Sequence, residues 1–150
     1  MYKNKGNSIQ RARLSTGLTQ EALAERSGYS ADTISAWENG VRFPSAEAVD
    51  VLAACLQAPW LAPMCLREQS DALAELVPDF TVDRPVAEAA AKFINCVLDM
   101  VDLRFDRQLL KMVADGRVDE VEEDMFKAIM EKADEVCTAY FELKFSKGGI

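Results

Sequence analysis

Apolar positions in the first 56 residues recur at the three-to-four-residue spacing of helices, in four short runs. Each run is bounded by a residue that can cap a helix, such as Thr19 or Ser30, or by a glycine or proline. The pattern therefore predicts four short helices joined by tight turns, over residues 8–15, 20–26, 31–39 and 46–56.

The pattern beyond residue 56 changes from short runs to long ones. Residues 57–66 predict a fifth short helix with Pro59 in its first turn, which packs Trp60, Leu61 and Met64 onto the N-terminal helices. A further short helical stretch follows at residues 68–77.

Two long apolar stripes occupy the C-terminal part. The first begins at Pro85, which suits the first position of a helix, and ends at the helix-stop glycine Gly116. The second begins at a capping box made by Asp119 and Glu122 and continues to Tyr140. Stretches of about 30 and 26 residues predict an antiparallel hairpin of two long helices.

These patterns predict an all-α chain with three parts: a five-helix domain over residues 1–66, a joint with a short helix over 67–84, and a helical hairpin over 85–150. No apolar run approaches the roughly 18 residues that a membrane span requires, and the first residues lack the apolar region of a secretory signal. We therefore expect a cytoplasmic protein without a membrane partner.

The net charge of −8 is unevenly distributed. Residues 1–60 hold six basic and six acidic residues, whereas residues 61–150 hold eleven basic and nineteen acidic residues, so the whole excess lies in the second segment. Only the neutral N-terminal part can present a local basic face to an anionic partner.

The residue types available exclude several kinds of site. The chain has no histidine, which removes histidine-based triads and histidine-containing zinc sites. Its four cysteines form no CxxC pair and lie within apolar helical patterns, where a cysteine behaves as a small hydrophobe. We expect no catalytic set, no metal site and no cofactor.

One dense pattern of constrained positions runs through the N-terminal part: Arg13…Gly17-Leu18-Thr19-Gln20-x-x-Leu23-Ala24-x-x-x-Gly28-x-Ser30-x-x-x-Ile34-x-x-Trp37-Glu38-Asn39-Gly40-x-x-x-Pro44. It resembles the helix-turn-helix family of the Cro and CI phage repressors, the XRE family, over about a third of the chain. The resemblance implies a lambda-repressor-like five-helix domain and a transcription regulator that binds double-stranded DNA in a sequence-specific manner.

The resemblance also implies roles for individual residues. Arg13 and Glu38 match positions that pair as a largely buried salt bridge. Residues that match the base-facing positions of the recognition helix are Ala31, Asp32, Thr33 and Ser35. Residues that match phosphate contacts are Gln20, Asn39 and Arg42.

The recognition helix has an unusual composition for direct base reading. Its leading positions carry no Arg, Lys, Gln or Asn, the side chains that make the strongest bidentate contacts with guanine and adenine. We therefore expect modest affinity for each half-site and dependence on dimerisation or on DNA shape. Alternatively, the domain has kept the fold as an interaction module and lost DNA binding.

The hairpin is expected to form a homodimer, because repressors of this class bind half-sites about 34 Å apart with a twofold partner. Its methionines and phenylalanines can instead line a small apolar effector site, but core packing explains them better. The leading function is a dimeric repressor of phage or mobile-element type. The alternative is an antitoxin-like protein that binds DNA and uses its acidic C-terminal part to bind a basic protein partner.

Overall fold

The computed structural model describes residues 7–147, and within that range it confirms the all-α prediction, with helices and no strand. The chain divides into two compact units, residues 1–79 and 80–150. The predicted joint at 67–84 is therefore shared between the units. Residues 1–6 and 148–150 of the predicted domains lie outside the described residues.

The described residues of the N-terminal unit form six helices, and the first four predicted helices all form. They are α1 (Ser8–Ser15), α2 (Gln20–Ser27), α3 (Ala31–Glu38), α4 (Ala46–Leu56), α5 (Leu61–Arg67) and α6 (Asp71–Leu76). The side chains of Thr19, Ser30 and Ser45 each accept a hydrogen bond from the backbone N–H three residues further on, which is the expected N-cap geometry.

The fifth helix begins later than the pattern predicts. It starts at Leu61, so Pro59 precedes the helix instead of lying in its first turn. Pro63 is consequently the third helical residue. A backbone N–H at that position has no acceptor within the helix, so its absence in proline costs no helical hydrogen bond. The predicted packing is confirmed, because Trp60, Leu61 and Met64 are buried and α5 packs on α1 and α4.

A buried ion pair joins the first and third helices. The guanidinium of Arg13 donates from Nε to Glu38 Oε1 at 2.6 Å and from Nη2 to Oε2 at 2.8 Å. The two side chains are only 9% and 1% exposed. Arg13 Nη1 also donates to the Leu18 carbonyl at 2.8 Å, and the Gln20 amide donates to Glu38 Oε2 at 2.9 Å. The Glu38 carboxylate thus joins α3 to α1 and α2, and the Arg13 guanidinium joins α1 to the turn that follows it.

The C-terminal unit departs from the predicted hairpin in its first arm. That arm is two helices, α7 (Val86–Asp102) and α8 (Phe105–Met112), followed by a 3-10 turn at Val113–Asp115. The break lies at Arg104, whose φ of 56° is left-handed. The amide of Gln108 donates to the Leu103 carbonyl at 3.0 Å and so satisfies a group that the break releases.

Because of the break, the apolar face of α8 packs in a small core. Phe105, Met112 and Ile129 are buried together there. A single continuous helix was predicted because the apolar spacing continues across residues 103 and 104 without interruption. Periodicity does not report a local left-handed residue, so this feature escaped the sequence pattern.

The second arm is α9 (Glu123–Lys144). The predicted capping box forms before it, since Asp119 Oδ1 accepts from the Glu122 N–H at 3.0 Å and Glu122 Oε2 accepts from the Asp119 N–H at 3.3 Å. Regular α-helix nevertheless begins at Glu123. The helices α7 and α9 run antiparallel, because Lys92 pairs with Glu142 whereas Asp99, further along α7, pairs with Lys132, which precedes Glu142 on α9.

A buried carboxylate also anchors the C-terminal unit. Glu142 is 3% exposed and its Oε2 lies 2.9 Å from Lys92 Nζ and 3.1 Å from Arg84 Nε. Its Oε1 accepts from the Thr81 N–H at 3.3 Å. Burial raises the pKa of Glu142, but the bonds from Lys92 and Thr81 and the charges of Lys92 and Arg84 outweigh that effect, so the net pKa is lowered.

We expect Glu38→Gln to lower the free energy of unfolding of the N-terminal unit by about 3–5 kcal/mol, because it leaves the buried Arg13 charge without its partner. Both tryptophans, Trp37 and Trp60, lie in this unit, so their fluorescence during urea unfolding reports it selectively. The matched control is Glu25→Gln on exposed α2 surface, which should change stability by less than about 0.5 kcal/mol. A loss below about 1 kcal/mol in Glu38→Gln would show that the pair is not a main support of the domain.

We expect Glu142→Gln to remove a pH-dependent part of the stability of the C-terminal unit. Because the folded-state pKa lies below the ordinary value of 4.5, the carboxylate stabilises the unit above that value, and this contribution is lost as the pH falls through the lowered folded-state pKa. At neutral pH the substitution should cost about 1–3 kcal/mol.

The measurement is far-UV circular dichroism during urea unfolding between neutral and acid pH, compared with the tryptophan signal of the other unit. Glu131→Gln, on the exposed surface of the same helix, should keep the pH dependence of the parent. Parallel stability–pH curves for the parent and Glu142→Gln would contradict the assigned cause.

Candidate nucleic-acid interface

The helices α2 and α3 form a compact pair joined by a three-residue turn. Gly28 caps α2 in the left-handed conformation, with a φ of 76°, which a residue with a Cβ adopts only with strain. Tyr29 then lays its ring edge-on to Trp37 at a centroid distance of 4.9 Å, and Ser30 caps α3. The glycine cap, the ring contact and the N-cap together set the direction in which α3 leaves the turn.

The two faces of α3 have different environments. Ile34, Trp37 and Glu38 are buried against the rest of the domain. The four residues predicted to face bases lie on the remaining surface, with Asp32 exposed and Ala31, Thr33 and Ser35 half-buried. The structure therefore brings all four candidates onto the outward side of one helix.

The hydroxyl of Thr33 lies at the centre of a surface network. Arg42 Nη2 donates to Thr33 Oγ1 at 3.0 Å, and Ser30 Oγ lies within hydrogen-bond distance of the same oxygen, at 2.9 Å. Ser30 Oγ in turn accepts from the Thr33 N–H at 3.1 Å. The predicted phosphate-contacting residue Arg42 is thus adjacent to a predicted base-facing residue.

Asn39 makes a second link between the two predicted contact sets. Its Nδ2 donates to the Ser35 carbonyl at 2.8 Å and approaches Ser35 Oγ at 3.3 Å. Asn39 and Arg42 are both exposed, and the Arg42 guanidinium keeps N–H donors that its bond to Thr33 does not use. The Asn39 amide and the Arg42 guanidinium together extend the polar surface of α3 past its C-terminal end.

Gln20 occupies a different environment from the other predicted phosphate contacts. Its side-chain amide donates to Glu38 Oε2 at 2.9 Å, and the residue is half-buried. The amide carries a second N–H that this bond does not use. Gln20 therefore connects the outer surface to the buried Arg13–Glu38 pair, a link that the sequence pattern did not reveal.

An acidic residue stands beside Gln20 at the start of α2. The pKa of Glu21 is lowered, mainly by hydrogen bonding to its own backbone N–H in the first helical turn and by the Thr19 hydroxyl. Glu21 is therefore ionised well into the acid range. The start of α2 consequently combines a helix N-terminus, which favours anions, with a fixed negative charge that opposes them.

The sequence did not reveal that the Ser30 side chain contacts Thr33, one of the residues predicted to face bases. It identified Ser30 only as a helix cap, because capping is a local pattern. The bond from Arg42 to Thr33 spans nine residues and has no sequence signature. Only the turn after α3, which brings residue 42 back beside the start of the helix, places these groups together.

Comparison with known proteins finds a similarity that is confined to the N-terminal part of the chain. Residues 6–61 match a family model described as a helix-turn-helix domain. The chain has no significant match among the curated proteins or among the solved structures. The matched range includes α1 to α4 and the first residue of α5. Residues 6–61 therefore form a helix-turn-helix domain, consistent with an XRE-type DNA-binding regulator.

Proposed function

We propose that this protein is a dimeric transcription repressor that binds a pseudo-palindromic operator of double-stranded DNA in the cytoplasm. The observation that carries the proposal is the two-sided nature of α3 within a helix-turn-helix domain. One side is buried through Ile34 and Trp37, and the other presents hydroxyl and methyl groups to the exterior.

The helix α3 is the element that enters the major groove. In helix-turn-helix proteins the second helix of the pair lies in the groove with its N-terminal residues at base edges. Here those residues are Ala31, Asp32, Thr33 and Ser35. The methyl groups of Ala31 and Thr33 suit the methyl group of thymine, and the carboxylate of Asp32 accepts only from an amino group such as that of cytosine.

Residues around α3 hold the phosphate backbone. Arg42 provides the positive charge, and Asn39 and Gln20 provide amide donors on either side of the helix. Phosphate contacts supply most of the affinity and set the register, whereas base contacts set the preferred sequence. Because α3 carries no long base-reading side chain, two copies of the domain are needed for useful specificity.

The C-terminal unit joins two copies of the chain. On α7, Ile94, Leu98 and Val101 lie at helical spacing on one face and are 55%, 51% and 57% exposed. Beside them, Val97 and Phe105 line a shallow apolar depression of about 210 Å³. Adjacent apolar side chains at this spacing are the usual composition of a helix–helix interface. A twofold pairing through α7 covers them.

None of the helices described between residues 7 and 147 combines the length and the apolar character that crossing a membrane requires.

The function is tested by selecting bound DNA from a randomised pool with the full-length protein. The expected product is a pseudo-palindrome with half-sites about 34 Å apart. Enrichment of asymmetric single half-sites would contradict the dimer, and the absence of any enriched sequence would contradict sequence-specific binding.

We expect Arg42→Ala to reduce the dependence of operator affinity on salt, because one phosphate contact disappears from each half-site. The slope of log K against log salt concentration should become shallower by about 0.9 per half-site. Fluorescence anisotropy over a salt series measures this slope. Arg26→Ala on α2 removes the same charge from a residue outside the predicted contact set and should leave the slope nearly unchanged. Equal slopes for the parent and Arg42→Ala would refute the phosphate role.

We expect Leu98→Gln to convert the dimer to a monomer, because it places an amide at the centre of the exposed apolar face of α7. Sedimentation equilibrium of the full-length protein measures the mass. The matched control is Leu76→Gln, the same change at a residue that is 76% exposed in the other unit, and it should preserve the dimer. A monomeric parent, or a Leu98→Gln variant with unchanged dimer affinity, would show that this face is not the interface.

A further inference from the structure

The side chain of Arg42 is exposed, yet the fold gives it one defined contact. Its Nη2 donates to Thr33 Oγ1 at 3.0 Å. Within the part of the chain that the structure describes, this is the only hydrogen bond or ion pair of the Arg42 guanidinium. The position of that guanidinium beside α3 therefore depends on the Thr33 hydroxyl.

The direction of this bond follows from the chemistry of the two groups. A guanidinium has five N–H donors and no acceptor, so Thr33 Oγ1 accepts. A hydroxyl oxygen has two lone pairs, and it can accept from Arg42 whichever of the Ser30 and Thr33 hydroxyls donates to the other. The contact with Arg42 is thus independent of where the hydroxyl hydrogens lie.

Ser30 holds Thr33 in turn. Its Oγ accepts from the Thr33 N–H at 3.1 Å and lies 2.9 Å from Thr33 Oγ1. The N-cap of α3 therefore contacts both the backbone and the side chain of Thr33. These contacts keep the Thr33 oxygen near the start of the helix, where Arg42 reaches it after the turn that follows α3.

We propose that Thr33 is a positioning residue for the phosphate contact of Arg42, because its hydroxyl holds the guanidinium in place before DNA binds. This inference rests on the proposed DNA binding by α3, and it gives Thr33 a role besides base contact. The bond uses one of five N–H donors, so the remaining donors can bind phosphate oxygens. The methyl group of Thr33 stays available for a base.

The gain from this arrangement is entropic. An exposed arginine side chain has many rotamers and loses much of that freedom when it holds a phosphate. A side chain that Thr33 already holds has less freedom to lose on binding, which is the general advantage of preorganisation. Because phosphate contacts carry no sequence information directly, the Thr33 hydroxyl should raise the affinity for all operators equally instead of selecting a base.

The test measures the cost of Arg42→Met in three backgrounds, by fluorescence anisotropy of the full-length protein on the operator that it selects. The backgrounds are the parent, Thr33→Val, which keeps the shape of the side chain but lacks the hydroxyl, and Thr33→Ser, which keeps the hydroxyl but lacks the methyl group. Each protein is also measured on operators that carry one symmetric base-pair substitution at each position in turn. Circular dichroism of each variant verifies that the domain is folded.

We expect Thr33→Val to weaken binding by about threefold per half-site, and hence by about tenfold for the whole operator, which is the scale of one hydrogen bond at each half-site. The loss should be the same for every substituted operator, so the order of preference stays that of the parent. Arg42→Met should consequently cost about tenfold less in Thr33→Val than in the parent. In Thr33→Ser, whose hydroxyl still holds Arg42, Arg42→Met should cost as much as in the parent.

Other outcomes overturn the proposal. An equal cost of Arg42→Met in the parent and in Thr33→Val would show that Thr33 does not position Arg42. A Thr33→Val variant that loses its preference at a single base pair and keeps its affinity elsewhere would assign the hydroxyl to base reading. A Thr33→Ser variant that behaves like Thr33→Val would show that the hydroxyl is not the group that Arg42 needs. If the parent selects no operator at all, the proposed DNA binding itself fails, which is distinguishable from these results.

Discussion

The orientation of the outward face of α3 depends on the buried ion pair between Arg13 and Glu38. A charge inside a domain is costly unless it is paired and its other hydrogen-bonding groups are satisfied. Here the Leu18 carbonyl and the Gln20 amide complete that requirement. Because these groups come from α1, the first turn, α2 and the end of α3, the ion pair and its two partners connect three helices.

The same pair connects the interior to the surface that we assign to DNA. Glu38 is the last residue of α3, and the outward face of that helix carries Thr33. A rotation of α3 that moved Thr33 would also displace Glu38 from the guanidinium of Arg13. The cost of stranding a buried charge therefore resists reorientation of the helix, which suits the proposed contact of its few short side chains with bases in a defined register.

The C-terminal unit is organised differently. Its anchor, Glu142, holds the segment before α7 and the helices α7 and α9 through Arg84, Lys92 and Thr81. Further along, the unit has a break at Arg104 and a small core around Phe105. Several large apolar side chains of α7 lie outside that core. A second subunit against α7 completes the burial that this layer of helices lacks by itself, as proposed.

The sequence by itself determined the features that depend on neighbours a few residues apart. The helix boundaries at Thr19, Ser30 and Ser45, the turn at Gly28, and the capping box at Asp119 all follow from local backbone and side-chain chemistry. The dense pattern over residues 13–44 likewise identified the helix-turn-helix domain that the family comparison confirms. The acidic excess of the second segment was also readable from composition alone.

Only the tertiary structure decided the features that need distant groups in contact. The break at Arg104 interrupts an unbroken apolar stripe, because burying Phe105 with Ile129 requires α8 to turn towards α9. The bond from Arg42 to Thr33 depends on the chain returning past α3. The contacts of the Thr33 hydroxyl with Arg42 and Ser30 are therefore a property of the folded arrangement.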